Sequence, residues 1–182
     1  MIQFEETSRD EHLLGVAREM MTAARTAPKA CGVDNLQIAV VTGDDLVPLA
    51  TRMRELSTLP QRGFFARDAD NLMQAGAAVL IGTRIEVLRL NCGLCGFATC
   101  ALKAEQPDMP CAFNMNDLGI AVGSAAAIAA DHRVDTRVMY SVGVAAGQLG
   151  LMPGCKAIFA ILLSATGKNP FFDRTAAQSC KK

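Results

Sequence analysis

Four cysteines stand close together near the middle of the chain, in the pattern C-x2-C-x4-C-x10-C: Cys92, Cys95, Cys100 and Cys111. Cysteine thiolates are soft ligands that suit iron–sulfur clusters, zinc and copper(I). Gly93 and Gly96 follow the first two cysteines, and glycine permits the tight turns that direct backbone amides toward sulfur. The spacing therefore predicts a metal centre on these four thiolates.

Three interpretations of the four cysteines remain open. A 4Fe–4S cluster takes four thiolates and tolerates uneven spacing between them. Structural zinc usually shows two CxxC-like pairs or one CxxC with paired histidines, whereas here there is one CxxC and neither His12 nor His132 is close to it. The third interpretation is four thiols without a metal. The concentration of cysteines and glycines favours the iron–sulfur cluster, with a structural zinc on the four thiolates as the alternative.

Composition restricts the partners and the compartment. The 182 residues carry 18 basic and 18 acidic side chains, so no field of one sign is available to attract a nucleic acid. The longest apolar stretch, residues 120–130, is too short to span a bilayer, and no export signal is visible. Seven cysteines without an export signal indicate a reducing cytoplasm. We expect no nucleic-acid partner and no membrane association.

The hydrophobic pattern predicts helices and strands in alternation. A capping box of Ser8 and Glu11 would open a helix that ends near Thr26. The buried strands are predicted at 36–42, 77–82 and 155–164, with a weaker strand at 138–141. Further helices are predicted after Asp44 or Asp45, and at 68–75, 97–105, 117–131 and 143–149.

Several blocks of sequence resemble known families. Residues 23–28, followed by Asn35-Leu36-Gln37 and a strand, resemble the opening of nitroreductases. The whole chain is similar to the uncharacterised ferredoxin-domain-containing proteins, whose recurring motifs stand here at Thr26–Asn35, Arg67–Asn71, Leu90–Gly96, Asp117–Ala125 and Gly167–Arg174. The cysteine spacing is also similar to the four-cysteine cluster domain of corrinoid iron–sulfur proteins.

The resemblance implies an α+β fold: a nitroreductase-like core, with a mixed or antiparallel sheet flanked by helices, and a cysteine-rich cluster-binding insert. It implies one domain over residues 1–182, with the insert at 91–111. It implies a cluster, but it does not imply a particular reaction. Nitroreductase folds build flavin sites across a dimer, so the same resemblance suggests a homodimer and FMN as a second cofactor.

Residues inside the resembling blocks are the candidates for binding a cofactor or small ligand: Lys29, Asn35, Gln37, Lys168 and Arg174. With Arg67, the three basic residues among them could form an anion site. Alternatively, Arg67 and Arg174 pair with nearby aspartates to fix loops. The chain departs from nitroreductases in having Lys29 in place of a serine, and the paired arginines that hold the flavin phosphate in that family are not evident.

Three functions are compatible with these features. The first is a cytoplasmic iron–sulfur redox protein that transfers electrons or carries out an oxidoreduction, with an electron-transfer partner or a small ligand near residues 29–35. The second is an iron–sulfur flavoenzyme, and the third is a non-enzymatic module with structural zinc. The remaining thiols, Cys31, Cys155 and Cys180, are interpreted as ordinary small residues. For Cys31 the alternative is a redox thiol or a distant metal ligand.

Overall fold

The computed structural model describes residues 2–172. Ten helices and strands in this part of the chain are α1 Glu5–Thr26, β1 Leu36–Thr42, α2 Leu46–Leu56, α3 Phe64–Leu72, β2 Ala77–Thr83, α4 Cys100–Ala104, α5 Ala112–Asp131, β3 Asp135–Met139, α6 Tyr140–Gln148 and β4 Ala157–Ser164. Short 3-10 turns occupy Ala30–Gly32 and Gly43–Asp45. None of the helices in this range is long and apolar enough to cross a membrane.

The four strands form one sheet in the order β1-β2-β4-β3, and every neighbouring pair is antiparallel. Val79 in β2, for example, lies between Val40 of β1 and Ile161 of β4. All seven residues of β2 are buried, because helices cover both faces of the sheet, which explains why this strand reads as a continuous apolar run. This architecture confirms the predicted α+β class with an antiparallel sheet.

Alternate residues of the central strands point into two separate cores. On one face, Val79 and Ile81 of β2 pack with the buried side chains of α1 and α5, including Met20 and Leu118. On the other face, Leu80 packs with α2, α3 and α6. The fold is therefore three layers, with two helices on one side of the sheet and three on the other.

One end of the sheet carries the segment that contains the four cysteines. There β1 begins at Leu36, β2 ends at Thr83 and β4 begins at Ala157, and these three residues are neighbours in the register. The C-terminus of α1 also lies here, since Arg25 Nη1 donates to the Leu36 carbonyl at 3.0 Å. We call this the insert end of the sheet, because the cysteine-containing segment leaves from it.

Several predicted boundaries are wrong. Helix α1 begins at Glu5 with Phe4 as its N-cap, and Ser8 Oγ donates to the Glu5 carbonyl at 3.2 Å instead of forming a capping box. Helix α3 begins at Phe64 rather than at residue 68, and β3 precedes its predicted position. Helix α5 begins at Ala112, so Asp117 lies within the helix and is not its cap. Both α1 and α5 therefore begin before the polar residues that suggested their starts.

Candidate metal centre

The segment that carries the four cysteines is an insert between β2 and α5. It leaves the sheet at Arg84 and returns at Cys111, and α4 is the one helix within it. The backbone takes positive φ at four positions: Arg89, Asn91, Gly93 and Gly96. The Gly96 amide donates to the Gly93 carbonyl at 2.9 Å, which folds Cys92–Gly96 into a turn. The glycines thus have the turning role that the sequence predicted.

Two hydrogen bonds join Asn91 and Cys100. The Asn91 amide N–H donates to Cys100 Sγ at 3.3 Å, and the Cys100 amide N–H donates to Asn91 Oδ1 at 2.8 Å. Asn91 directly precedes Cys92, so this pair fixes the start of α4 beside the CxxC turn. Backbone N–H donors to sulfur favour the thiolate and are one of the means by which proteins tune iron–sulfur clusters.

Cys111 begins a stripe of buried polar residues on α5. Cys111 is 6% exposed and is the N-cap residue of that helix, a position where the helix dipole favours negative charge. One turn on, Asn114 Oδ1 accepts the Glu86 amide N–H at 2.9 Å. One turn further, the Asp117 carboxylate accepts the Ala30 amide N–H at 3.1 and 3.2 Å. This i, i+3, i+6 stripe ties α5 to the insert and to the 3-10 turn at residues 30–32.

The four sulfurs share the insert but do not converge. Cys92 is exposed, Cys95 and Cys100 are partly buried, and Cys111 is buried. Within residues 2–172, no three side chains of His, Cys, Asp or Glu come together in a way that could hold a metal ion. Binding one metal centre with all four thiolates therefore requires the insert to rearrange.

The polar atoms around the insert fit an anionic group. Three buried side-chain donors in the described part of the chain have no acceptor there, and two of them flank the insert: Arg84 Nε, where it leaves the sheet, and Asn114 Nδ2, where it returns. The third, Asn71 Nδ2, lies in α3. Glu86 Oε1 is 4.0 Å from Arg84 Nε, which is beyond hydrogen-bond distance. Unsatisfied buried N–H groups are costly, and a cluster of thiolates and sulfides would supply acceptors. The four thiols are the ligand type that an iron–sulfur cluster takes, and donors are available at both ends of the insert, but the sulfurs are not gathered around one point in this structure.

A groove of about 540 Å³ lies beside the insert, between β4 and α6. Its lining includes Met115, Tyr140, Cys155 and Lys156. Lys156 Nζ donates to Asp108 Oδ1 at 2.6 Å, which ties the far part of the insert to the start of β4. The groove and the cysteine insert are thus adjacent features of the same end of the sheet.

Cys155 is one of the residues that line this groove. Its Sγ donates to Gln37 Oε1 at 3.5 Å, and a Cβ added to Gly82 would lie 2.9 Å from the same sulfur. Burial raises the pKa of the Cys155 thiol, so the thiol form persists at neutral pH. The predicted role of Cys155 as an ordinary packed cysteine is consistent with this environment.

Alkylation should distinguish Cys155 from the exposed thiols. In the metal-free protein at pH 8, iodoacetamide is expected to modify Cys31 and Cys92 roughly tenfold faster than Cys155, because the thiolate is the nucleophile and the raised pKa leaves little of it at Cys155. Peptide mass spectrometry over time measures the rates, and unfolding in urea is the control that should equalise them. Modification of Cys155 among the first sites would contradict this assignment.

The candidate cofactor residues do not gather into one site. Lys29 Nζ donates to three carbonyls at the end of α1, the shortest at 2.6 Å. Asn35 is buried and Gln37 contacts Cys155, so both lie at the insert end of the sheet. Lys168 follows β4 at the opposite end, roughly 20 Å away along the strands. Arg174 lies outside the described residues.

Arg67 pairs with a neighbouring aspartate, which is the alternative to a role in an anion site. It donates to Asp68 Oδ1 through Nε at 3.1 Å and Nη2 at 2.8 Å. Asp68 is buried and also accepts from Ser141 Oγ at 2.7 Å, so the carboxylate joins α3 to α6. The described residues therefore do not assemble a phosphate site from Lys29, Arg67 and Lys168, and their arrangement does not fit the phosphate of a flavin.

Sequence reasoning missed three residues of this region. Asn91, Asn114 and Asp117 each position a loop, and only the i, i+3, i+6 spacing after Cys111 could have signalled the last two. The sequence suggests a helix cap at Asp117 because Asx residues favour that position, whereas its carboxylate bonds Ala30, which is 87 residues away in sequence. Contacts of such range are not visible in local patterns.

Comparison with known sequences finds one family and one uncharacterised relative. Residues 108–174 match the sequence model of a family described as uncharacterised proteins containing a ferredoxin domain. The matched range includes Cys111 but begins after the other three cysteines of the insert. An uncharacterised protein from Archaeoglobus fulgidus is 37% identical over 182 residues, which cover 96% of this chain and 98% of that protein.

Solved structures establish the fold. A nitroreductase with bound FMN from Desulfitobacterium hafniense matches with a TM-score of 0.57 and 14% identity, covering 92% of this chain and 86% of that one. A BluB-like flavoprotein from Clostridium difficile matches with a TM-score of 0.50 and 17% identity, covering 92% and 88%. At such identities the likeness concerns the fold alone, and it confirms the predicted nitroreductase-like core.

Proposed function

The chain belongs to the family of uncharacterised proteins that contain a ferredoxin domain, and from this premise we propose that it is a redox protein. We assign it a 4Fe–4S cluster on four thiolates of one insert: Cys92, Cys95, Cys100 and Cys111. The observation that carries this proposal is the Asn91–Cys100 pair, in which a backbone N–H already donates to a sulfur of the cysteine insert. When bound, such a cluster supplies reversible one-electron transfer.

The protein's own residues would hold and insulate the cluster. Asn91 donates to Cys100 Sγ, and the N-terminus of α5 favours negative charge at Cys111. Asn114 fixes the first part of the insert through Glu86, and Lys156 fixes the last part through Asp108. These anchors leave the turn at Cys92–Gly96 as the part that closes on the metal centre.

Anaerobic purification tests this proposal against the zinc alternative. An iron–sulfur protein is expected to be brown, with broad visible absorption and with iron and acid-labile sulfide in the same sample. A colourless protein that contains zinc and unfolds on chelation would instead make the four cysteines a structural zinc site. Because four reduced thiols are needed in either case, we propose a reducing compartment, the cytoplasm.

A flavin is the second candidate cofactor, because the fold is nitroreductase-like and a groove of about 540 Å³ adjoins the insert. The nitroreductase from Desulfitobacterium hafniense contains FMN, but the residues suggested here for flavin binding are spread over both ends of the sheet. Release of fluorescent FMN on denaturation, after growth with ample riboflavin, would favour an iron–sulfur flavoenzyme over a simple electron carrier.

We also propose a homodimer. The insert exposes apolar side chains, among them Leu94 at 68% and Met109 at 49%, and such exposed groups beside a groove are typical of interaction surfaces. Sedimentation equilibrium is expected to give twice the 19.3 kDa mass of one chain. A monomer at micromolar concentration would contradict the dimer without affecting the cluster.

A further inference from the structure

Strand β1 forms an open edge of the sheet. In the order β1-β2-β4-β3, the described strands give β1 a single neighbour, β2. At the other edge, the segment after β4 covers β3, where Arg137 Nη1 donates to the Phe171 carbonyl at 2.9 Å. Strand β1 contains no charged residue and no proline, and its pairing with β2 runs without a bulge. Edge strands of natural proteins usually carry one of these protections, so β1 has the character of a strand that pairs with another.

The hydrogen-bond register identifies the main-chain groups of β1 that face away from the sheet. The Arg84 amide N–H donates to the Asn35 carbonyl at 3.0 Å, so these two residues form a hydrogen-bonded pair at the start of the β1–β2 ladder. In an antiparallel ladder, alternate residues bond the neighbouring strand. Residues 37, 39 and 41 therefore bond β2, and residues 36, 38 and 40 direct their N–H and C=O groups outward.

Two of these outward-facing residues have free main-chain groups. At Leu36 the amide N–H donates to Asp34 Oδ1 at 3.0 Å, and the carbonyl accepts from Arg25 Nη1 at 3.0 Å. Within residues 2–172, no hydrogen bond involves the outward N–H or C=O of Ile38 and Val40. Free donors and acceptors on an extended backbone are the groups by which a sheet edge binds an added strand.

An apolar groove of about 460 Å³ lies beside these free groups. Its lining includes Ala39 and Val41 of β1 and, from the segment after α6, Leu149 and Leu151. The two leucines are 41% and 46% exposed. An added strand would cover them with the side chains that it directs to this face, which must then be uncharged. Strand β1 itself meets this requirement, because Ala39 and Val41 point to this side of the sheet.

The two ends of the β1 edge carry opposite charge. Near Leu36, Arg25 pairs with Asp34, and Lys29 Nζ donates to the Arg25 carbonyl at 2.6 Å, so positive charge is in excess at this end. The other end continues into the exposed turn Gly43–Asp45, which contains two aspartates. Antiparallel pairing of two copies places the basic end of each edge beside the acidic end of the other, which favours the association.

We propose that the β1 edge binds the β1 edge of a second copy of this chain, as an antiparallel pair with its two-fold axis at Ala39. In this register Ile38 of one copy pairs with Val40 of the other, so the free N–H and C=O groups of both residues are satisfied twice over by the symmetry. The inference rests on the homodimer proposed above and assigns its contact to β1, which leaves Leu94 and Met109 of the insert for the electron-transfer partner.

A disulfide at the two-fold axis tests the register. Residues directly opposite in a non-hydrogen-bonded antiparallel pair have Cα atoms about 4.5 Å apart, which is within the range of a disulfide. In the full-length variant Ala39→Cys, diamide takes two electrons and two protons from the two thiols and should join two chains through position 39. Mass spectrometry of the digested protein identifies the linkage and separates it from disulfides of the native cysteines. Thr136→Cys on β3 is the control and should give no link at position 136.

Sedimentation equilibrium of full-length variants tests the contact itself. Leu151→Glu places a charge in the groove of both copies and is expected to raise the dissociation constant of the dimer at least about tenfold. Leu59→Glu is the matched control, because Leu59 is also 46% exposed but does not line the groove. Val40→Pro removes an outward N–H and leaves the ladder with β2 intact, and it should weaken the dimer to a similar extent. If circular dichroism shows Val40→Pro to be unfolded, Leu151→Glu and the position-39 link decide.

The outcomes separate this inference from the proposals on which it rests. A wild-type protein that is monomeric at micromolar concentration overturns both the homodimer and the β1 contact, whatever its iron and sulfide content. A wild-type dimer that Leu151→Glu weakens no more than Leu59→Glu does, with no link through position 39, overturns the β1 contact alone. Weakening by Leu151→Glu together with a link through position 39 supports both.

Discussion

Replacing Cys95 with serine is expected to reduce the iron content of the anaerobically purified protein to less than about a tenth of the wild-type value. Serine is nearly the same size as cysteine but replaces a soft thiolate with a hydroxyl, which is a poor ligand for iron in a cluster. Cys95 is partly buried in the turn at Cys92–Gly96 and is not a core residue, so the loss concerns ligation and not the core. Iron, sulfide and visible absorption measure the effect.

Cys31→Ser is the matched control for this substitution. Cys31 is exposed and lies in the 3-10 turn at residues 30–32, outside the cysteine insert. The same cysteine-to-serine change at this position should leave the iron and sulfide content unchanged. Equal iron in Cys95→Ser and in the wild type would show that the metal, if present, is held elsewhere.

Replacing Gly143 with alanine is expected to destabilise the protein by at least about 3 kcal/mol. Helix α6 crosses β4 so closely that a Cβ on Gly143 would lie 1.8 Å from the Ile158 carbonyl oxygen. The helix would have to move away from a strand of the central sheet, which opens the core around Val142 and Ala145. The midpoint of unfolding in urea, monitored by circular dichroism, measures the loss.

Gly15→Ala is the control for the glycine substitution. Gly15 lies in α1, and a Cβ at this position would meet nothing within 4 Å. Alanine is a better helix former than glycine, so this variant should be more stable than the wild type by about 0.5–1 kcal/mol. If both alanine variants are as stable as the wild type, α6 does not pack against β4 at the distance described.

The strands and the cysteine insert could be predicted from sequence because their signals are local. The runs at 36–42 and 77–82 are largely apolar, and the sheet contains both, with β2 extending to Thr83. Strand β2 is buried on both faces, as its continuous apolar run predicts, whereas β1 lies at the edge of the sheet and is mostly partly buried. The cysteine insert is recognisable from sequence because four cysteines are concentrated in one segment. Helix starts were less predictable, since α1 and α5 both begin several residues before the capping residues that the sequence offers.

The surroundings of the insert could not be predicted because they depend on contacts between distant segments. Asp117 bonds Ala30 across 87 residues, and the separation of Lys168 from Gln37 depends on the direction of β4 in the sheet. The burial of Lys103 opposes the usual preference of lysine for solvent. Each of these features requires the tertiary structure, and the separation of Lys168 from Gln37 changed the interpretation of the candidate cofactor site.

Native mass spectrometry of the anaerobically purified full-length chain is the most direct test of the central claim. Each chain is predicted to carry the added mass of one 4Fe–4S cluster, and the mass should fall to that of the bare polypeptide in Cys95→Ser. A chain whose mass corresponds to one zinc ion, or to the polypeptide alone after reconstitution with iron and sulfide, would contradict the assignment of an iron–sulfur centre to this insert.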